Sequence, residues 1–196
     1  MLTLVTGASG QLGRSIKSLV KLQNINNSFV FATRDQLDLS YLNNIQSYFK
    51  DRKFDLIINC AAYTKVDKAE LDEKQANLIN HLAVKKMAEI AKSRNIKLIH
   101  ISTDYVFDGL KHEPYLENDE VNPQSVYGQT KWQGEEVIRN HKKHIILRTS
   151  WVFSSHGQNF LKTILKLIQE KTSLNVVSNQ IGTPTSSEAL ADVTYK

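Results

Sequence analysis

The 196-residue chain has one cysteine, three prolines and two methionines, and no apolar run approaches the roughly 20 residues that a bilayer requires. With Cys60 alone, no internal disulfide can form, which excludes the stapled scaffolds of small secreted proteins. Met1 to Gly10 lacks a basic region leading into an apolar stretch, so no secretory leader is legible. A soluble, cytoplasmic protein with no membrane partner is expected. Charge of one sign is not concentrated either: 25 basic and 20 acidic residues give a net +5, but they are interspersed, without a long Lys/Arg run. That pattern argues against a nucleic-acid partner, while a diffuse positive field suits small anions such as phosphates. His141 and His144 sit beside Lys142 and Lys143 without further ligands and read as an exposed basic helix end.

A chain of this length buries roughly 70% of the surface that its unfolded form exposes, so a core needs no staple. Apolar runs of strand length alternate with helix-like segments, the pattern of parallel α/β folds. Strands are predicted over residues 2–6, 28–32, 56–59, 98–102 and 145–148, and helices over 11–22, 41–50, 68–93 and 125–140. Beyond them come a helix over 159–170, an extended run over 174–177 and a helical tail over 186–195 without a cap signal. Five strands with crossover helices give an open, doubly wound sheet whose ligands sit beyond the carboxyl ends of the strands. Pro114, Pro123 and Pro184 all fall in proposed loops.

The first strand runs into Gly7-Ala8-Ser9-Gly10-Gln11-Leu12-Gly13, with its glycines three residues apart and a helix following at once. Such a turn lets backbone N–H groups approach a pyrophosphate at a helix N-terminus. The spacing is not G-x-G-x-x-G, and an ordinary glycine turn is the plain alternative. Thr33-Arg34-Asp35 closes the second strand about 20 residues on, where dinucleotide folds read the adenosine ribose. Arg34 suits a 2′-phosphate and hence NADPH, whereas Asp35 blunts that preference and leaves NADH open. A solvated loop charge is the other reading of Arg34.

Tyr127 and Lys131, four residues apart at the start of the fourth helix, lie on one helix face. A cation near a phenol moves its pKa toward working pH, as a phenolic proton donor requires. Such pairs are commonly surface neighbours. The weighting changes with Ser102-Thr103-Asp104 at the end of the fourth strand, since that strand end faces the same crevice as the glycine turn. Thr103 could there hydrogen-bond a substrate oxygen.

With these segments in view, the chain resembles the extended short-chain dehydrogenase/reductase family. The matches are Thr6 to Gly13, Asn59 to Thr64 with Val66 to Glu70, Ser102 to Gly109, Pro123 to Lys131, Arg148 to Phe153, Asn159-Phe160 and Gly182 to Thr185, in family order along nearly the whole chain. The resemblance implies a Rossmann-like α/β fold, with an incomplete C-terminal substrate-binding part: one NAD(P)-binding unit over 1–196, of which 150–196 begins the substrate region. It also implies an enzyme that uses NADPH to reduce the C4 keto group of a nucleotide-linked 4-keto-6-deoxy sugar. Tyr127 would protonate the developing alkoxide, Lys131 would lower its pKa and hold the nicotinamide ribose, and Thr103 would orient the keto oxygen. Gly7, Gly10, Gln11, Leu12 and Gly13 would bind the pyrophosphate, Asp38 and Leu39 would lie near the adenine, and Ala61, Ala62 and Tyr63 would line the cofactor. Asp104 and Trp151 would meet the sugar, although a large aromatic is more often core.

Tyr105 follows Asp104 where dehydratases of the superfamily carry glutamate, which favours a simple reductase. Some family members bind a metal at a dimer interface through an acidic residue two positions after the third glycine. Here that residue is Ser15, and Glu188 alone makes a poor magnesium site, so no metal is expected, with a homodimer left open. A noncatalytic NADP-binding regulatory subunit and a reductase of a different 4-keto sugar are the competing readings. Family members are also longer, with a C-terminal part that closes over the nucleotide-sugar. Cys60, at the end of a proposed buried strand, is expected to pack.

Overall fold

A computed structural model describes residues 1–195; Lys196, the last residue of the unit proposed above, lies outside them. The strands β1 (Thr3–Thr6), β2 (Phe29–Ala32), β3 (Leu56–Asn59), β4 (Lys97–Thr103) and β5 (His144–Thr149) form one parallel sheet in the order β2-β1-β3-β4-β5. Helices cover both faces, so these strands read as nearly continuous apolar runs, not as alternating ones. Alternate residues still choose their side. Leu4, Ile57 and Leu98 pack with Ile45 and Phe49 of α2 (Leu42–Lys50) and with Met87 and Ala91 of a later helix. Val5 and Ile58 pack on the opposite face with Leu12, Ile16 and Val20 of α1 (Gln11–Leu22), whose four-residue spacing makes one buried stripe.

The strand order reverses between β1 and β3, which opens a crevice at their carboxyl ends. A side chain at Gly7, which has φ +63°, would lie 2.7 Å from the Ala61 nitrogen, so only glycine lets the two loops meet there.

Three expectations need correction. His141, read as part of an exposed helix end, is buried, with its Nε2 2.6 Å from the Ile96 carbonyl oxygen. The helix proposed over 68–93 is not continuous: α3 (Val66–Ala69) ends, and α4 (Glu73–Asn77) begins after Asp72, which leaves helical geometry at φ −136° and accepts from the Gln75 and Ala76 N–H groups. A π-helical turn, Leu78–Leu82, then joins α4 to α5 (Ala83–Ser93). The run over 174–177 pairs with no strand among the described residues, and Val176 and Val177 are exposed. Instead, β6 (Val152–Phe153) pairs with β7 (Thr185–Ser186), a two-residue ladder too short to show alternation in sequence. The other elements sit within about a residue of their proposed ends: α6 (Val126–Arg139), α7 (Phe160–Glu170) and α8 (Ser187–Tyr195).

Helix α6 starts where the Ser125 hydroxyl accepts the Gly128 N–H at 3.1 Å. Two glycines press it inward. A side chain at Gly128 would lie 2.2 Å from the Tyr105 carbonyl oxygen, and one at Gly134 would lie 2.3 Å from that of Asn80 in the π turn. Gly134→Ala must therefore push α6 off the π turn, and it should lower stability by about 1–3 kcal/mol in urea unfolding. An unchanged midpoint would show that this contact yields freely.

Candidate active site

Tyr127 and Lys131 lie on the inward face of α6, 9% and 1% exposed. Burying an amine costs several kcal/mol unless its donors are used. Lys131 Nζ donates to the Ile101 carbonyl at 2.6 Å and lies 3.3 Å from His100 Nε2, both on β4. Behind His100 the contacts continue across the sheet: His100 Nδ1 meets Asn59 Nδ2 at 3.0 Å, and Asn59 Oδ1 accepts from the Thr6 hydroxyl at 2.6 Å and from the Ala61 N–H at 3.3 Å. The three central strands are thereby joined by side chains just below the crevice.

Burial pushes the Tyr127 phenol up to about 12, with the neighbouring Asp104 adding to the rise and a hydrogen bond with Thr103 working against it. This reverses the lowering expected from Lys131: desolvation dominates, and the phenol keeps its proton, the form from which a donor starts. Burial pulls the Lys131 ammonium down to about 8, opposed by the Glu135 carboxylate and by Cys60. Cys60 is half-buried, yet desolvation drives its thiol up to about 12, which makes it an unreactive packing group. Thr103 donates to the Asp104 carboxylate at 3.0 Å and accepts the Tyr105 N–H at 3.2 Å, so both residues of that pair are held at the strand end. Desolvation also raises the Asp104 carboxyl.

At the crevice itself, Gly10 begins α1 without a side-chain cap, which leaves first-turn N–H groups for an anion. Leu12 and Leu39 are buried and shape the loops from below. The Gln11 side chain faces away from the turn: it donates to the Val152 carbonyl at 3.2 Å and accepts from Ser154 at 3.1 Å and Asn159 at 2.9 Å. Arg34 is mostly exposed and pairs with Asp38 at 3.2 Å, a surface contact worth little. Desolvation raises the Asp38 carboxyl, but hydrogen bonds from Ser40 and Arg34 outweigh it and hold it below the usual range. Trp151 is not core: it is 43% exposed with φ +47°, and its ring lies against Gly182, where a side chain would come within 2.9 Å.

The roles of three residues in this arrangement escaped the sequence reading. Asn59, His100 and Asn80 are almost fully buried. Asn80, turned inward by the π turn, accepts the Tyr63 N–H at 2.8 Å, donates to the Tyr63 carbonyl at 3.1 Å and reaches Thr130 at 3.2 Å, so it ties the loop of Ala61, Ala62 and Tyr63 to α6. The available signal was a polar residue inside or ending an apolar run, as in Leu56 to Asn59 and Leu98 to Ser102.

Residues 1–196 match the model of the RmlD substrate binding domain. The chain belongs to this family. A dTDP-4-dehydrorhamnose reductase of Aggregatibacter actinomycetemcomitans is 43% identical over 191 residues, 97% of this chain and 65% of that protein. The chain thus spans less than two thirds of the length of that curated relative. Among solved structures, a dTDP-4-dehydrorhamnose reductase of Clostridium acetobutylicum ATCC 824 superposes with TM-score 0.94 at 42% identity, covering 100% of this chain and 69% of that one. The enzyme of the same name from Bacillus anthracis str. Ames, in complex with NADP, gives 0.92 at 34% identity, covering 100% and 70%. The RmlD-family chain has the Rossmann-like parallel sheet of these reductases.

The Lys131 value has a testable consequence. In the unfolded RmlD-family chain this amine titrates near 10.5, so between about pH 8 and 10.5 the unfolded state binds more protons and stability from this group rises with pH. Cys60 and Tyr127, whose folded values are raised, act in the opposite sense above about pH 9. Comparison with Lys131→Met isolates the amine: from pH 8 to pH 10 in urea unfolding, wild type should gain stability relative to the variant. A flat difference would show that the amine is not desolvated.

Proposed function

We propose that the chain reduces the C4 keto group of dTDP-4-dehydro-L-rhamnose with NADPH, giving dTDP-L-rhamnose for surface-polysaccharide biosynthesis. The observation that carries this reading is the buried Tyr127 and Lys131 on one face of α6, beside Thr103 at the end of β4 and across the crevice from the glycine turn. The names of the relatives agree with it. A dinucleotide suits the residues present: a side chain at Gly7 or Gly13 would strike backbone, at 2.7 Å from the Ala61 nitrogen or 2.6 Å from the Gly7 carbonyl oxygen, so the turn is tight and bare above α1.

When bound, NADPH supplies the hydride. The pyrophosphate would rest on the backbone of Gly10, Gln11, Leu12 and Gly13, and Arg34 would exchange Asp38 for the 2′-phosphate. Asp38 and Leu39 would border the adenine, with Ala61, Ala62 and Tyr63 as the opposite wall. Hydride addition to a ketone creates alkoxide charge, and Tyr127, holding its proton, is the group to give it to that oxygen. Thr103, beside Tyr127, orients the oxygen by a hydrogen bond, and Lys131 meets the phenolate and the nicotinamide ribose. Asp104, just after β4, and the exposed Trp151, within 150–196 where the substrate-binding region begins, would contact the sugar.

Tyr127→Phe removes the proton while keeping the ring. Loss of reduced-nicotinamide absorbance in the presence of dTDP-4-dehydrorhamnose should fall about 10²- to 10⁴-fold in the variant, with NADPH binding retained in a parallel titration. Equal turnover by both proteins would sink the assignment of Tyr127. Binding without turnover in the unaltered chain would mean either that the C-terminal part carried by its longer relatives is required or that the chain is a noncatalytic NADP-binding subunit, and a chain of the relatives' full length would decide.

A further inference from the structure

We infer, resting on the proposed use of NADPH, that Arg14 on the first turn of α1 is a second cation for the 2′-phosphate and, together with Arg34, sets the preference for NADPH over NADH.

The loop that follows β2 does not supply enough positive charge by itself. A phosphate monoester carries about −1.5 to −2 near pH 7. From Thr33 to Asp38 the chain offers one cation, Arg34, against two carboxylates, Asp35 and Asp38. Arg34 Nε already pairs with Asp38 at 3.2 Å, and its Nη2 donates to the Ser40 hydroxyl at 3.4 Å. Hydrogen bonds from Ser40 and Arg34 hold the Asp38 carboxyl below its usual range, so it is charged at neutral pH. A net negative loop disfavours a phosphate unless a further cation faces it from another element.

Arg14 stands at that place. The Ala8 N–H donates to the Ala32 carbonyl at 3.1 Å, which joins the glycine turn to the end of β2. Arg14 Nε donates to the carbonyl of Ser9, the next residue of the turn, at 2.9 Å. The side of α1 that carries Arg14 faces β2, since Lys17, three residues on, puts its Nζ 5.9 Å from the centre of the Phe31 ring. Helix α1 leads away from the crevice, and three residues of helix rise about 4.5 Å. Arg14 is therefore one turn nearer than Lys17 to the strand end at which Thr33 and Arg34 begin the loop.

The guanidinium also has donors to give. It carries five N–H groups in a planar fork that matches a phosphate. Among the described residues only Nε of Arg14 is engaged, and no carboxylate lies within ion-pair distance of it. The Ser9 contact holds the side chain beside the turn before a ligand arrives, so less of its freedom is lost on binding. With NADH neither arginine has an anion to meet, and Asp35 and Asp38 remain as acceptors for the 2′-hydroxyl. The same crevice then binds NADH, less tightly and without a clash.

The test is fluorescence titration of the full chain with NADPH and with NADH at neutral pH and low salt, read as the ratio of the two affinities. NADPH should bind more tightly. Arg14→Gln should weaken NADPH about 10- to 100-fold and NADH less than about twofold. Arg14→Lys should recover part of the loss, as a charge without the fork. Lys17→Gln removes the same charge one turn further from the crevice and should leave the ratio within about twofold of its original value. Added salt should reduce NADPH affinity more steeply in the unaltered chain than in Arg14→Gln. Competition by adenosine 2′,5′-bisphosphate against AMP repeats the comparison without the nicotinamide, and Arg14→Gln should lower that ratio as well. Equal affinities in the unaltered chain overturn the proposal. So does an Arg14→Gln variant that weakens both cofactors in step, as a merely structural arginine predicts, or that weakens neither. A Lys17→Gln variant with the same loss of ratio overturns it too, by showing a diffuse field in place of a contact. Those outcomes leave the reduction standing, whereas a chain that binds neither cofactor overturns both readings.

Discussion

The close approach of α6 to the sheet is the constraint on which the site depends. A lysine side chain can bring its amine to a β4 carbonyl only if the helix backbone lies near the strand, and the bare positions Gly128 and Gly134 let it do so, against Tyr105 on one side and the π turn on the other. Phe49, Ile138 and Met87 fill the space beneath, so the helix is held from the core side as well. Had either glycine carried a side chain, Tyr127 would stand off from the end of β4 and the Thr103 hydroxyl would lose its neighbour.

The polar groups under the crevice answer a second problem. A parallel sheet buried on both faces offers little to satisfy a side-chain amide, an imidazole or an amine, and each unsatisfied group would cost about 1–3 kcal/mol. Here they satisfy one another in series from Thr6 to Ile101. Such a series is sensitive to the loss of any member, since removing one leaves its neighbours buried and unpaired.

The sheet was legible in the sequence because buried parallel strands leave uninterrupted apolar runs, and 56–59 and 11–22 match the proposed bounds. The positions of Tyr127, Lys131 and Thr103 were legible from spacing along a helix and from the rule that strand ends carry function. What was not legible depends on contacts across the chain. The break before Glu73 follows from the backbone of one residue, Asp72, inside a segment whose apolar pattern continues through it. The inward turn of Asn80 depends on a π turn that no helical period announces. For Trp151 the sequence left two readings, a contact with the sugar or core, and its exposure, with a left-handed backbone and the ring against Gly182, excludes the second.

Gln11 carries an implication beyond the turn in which it sits. Its amide grips Val152, Ser154 and Asn159, partners 141, 143 and 148 residues away in sequence, while its own backbone is part of the glycine cradle. The cradle and the segment leading into α7 are therefore tied through one side chain, so replacing Gln11 would release three contacts at once and leave residues 152–159 without that tie to the turn.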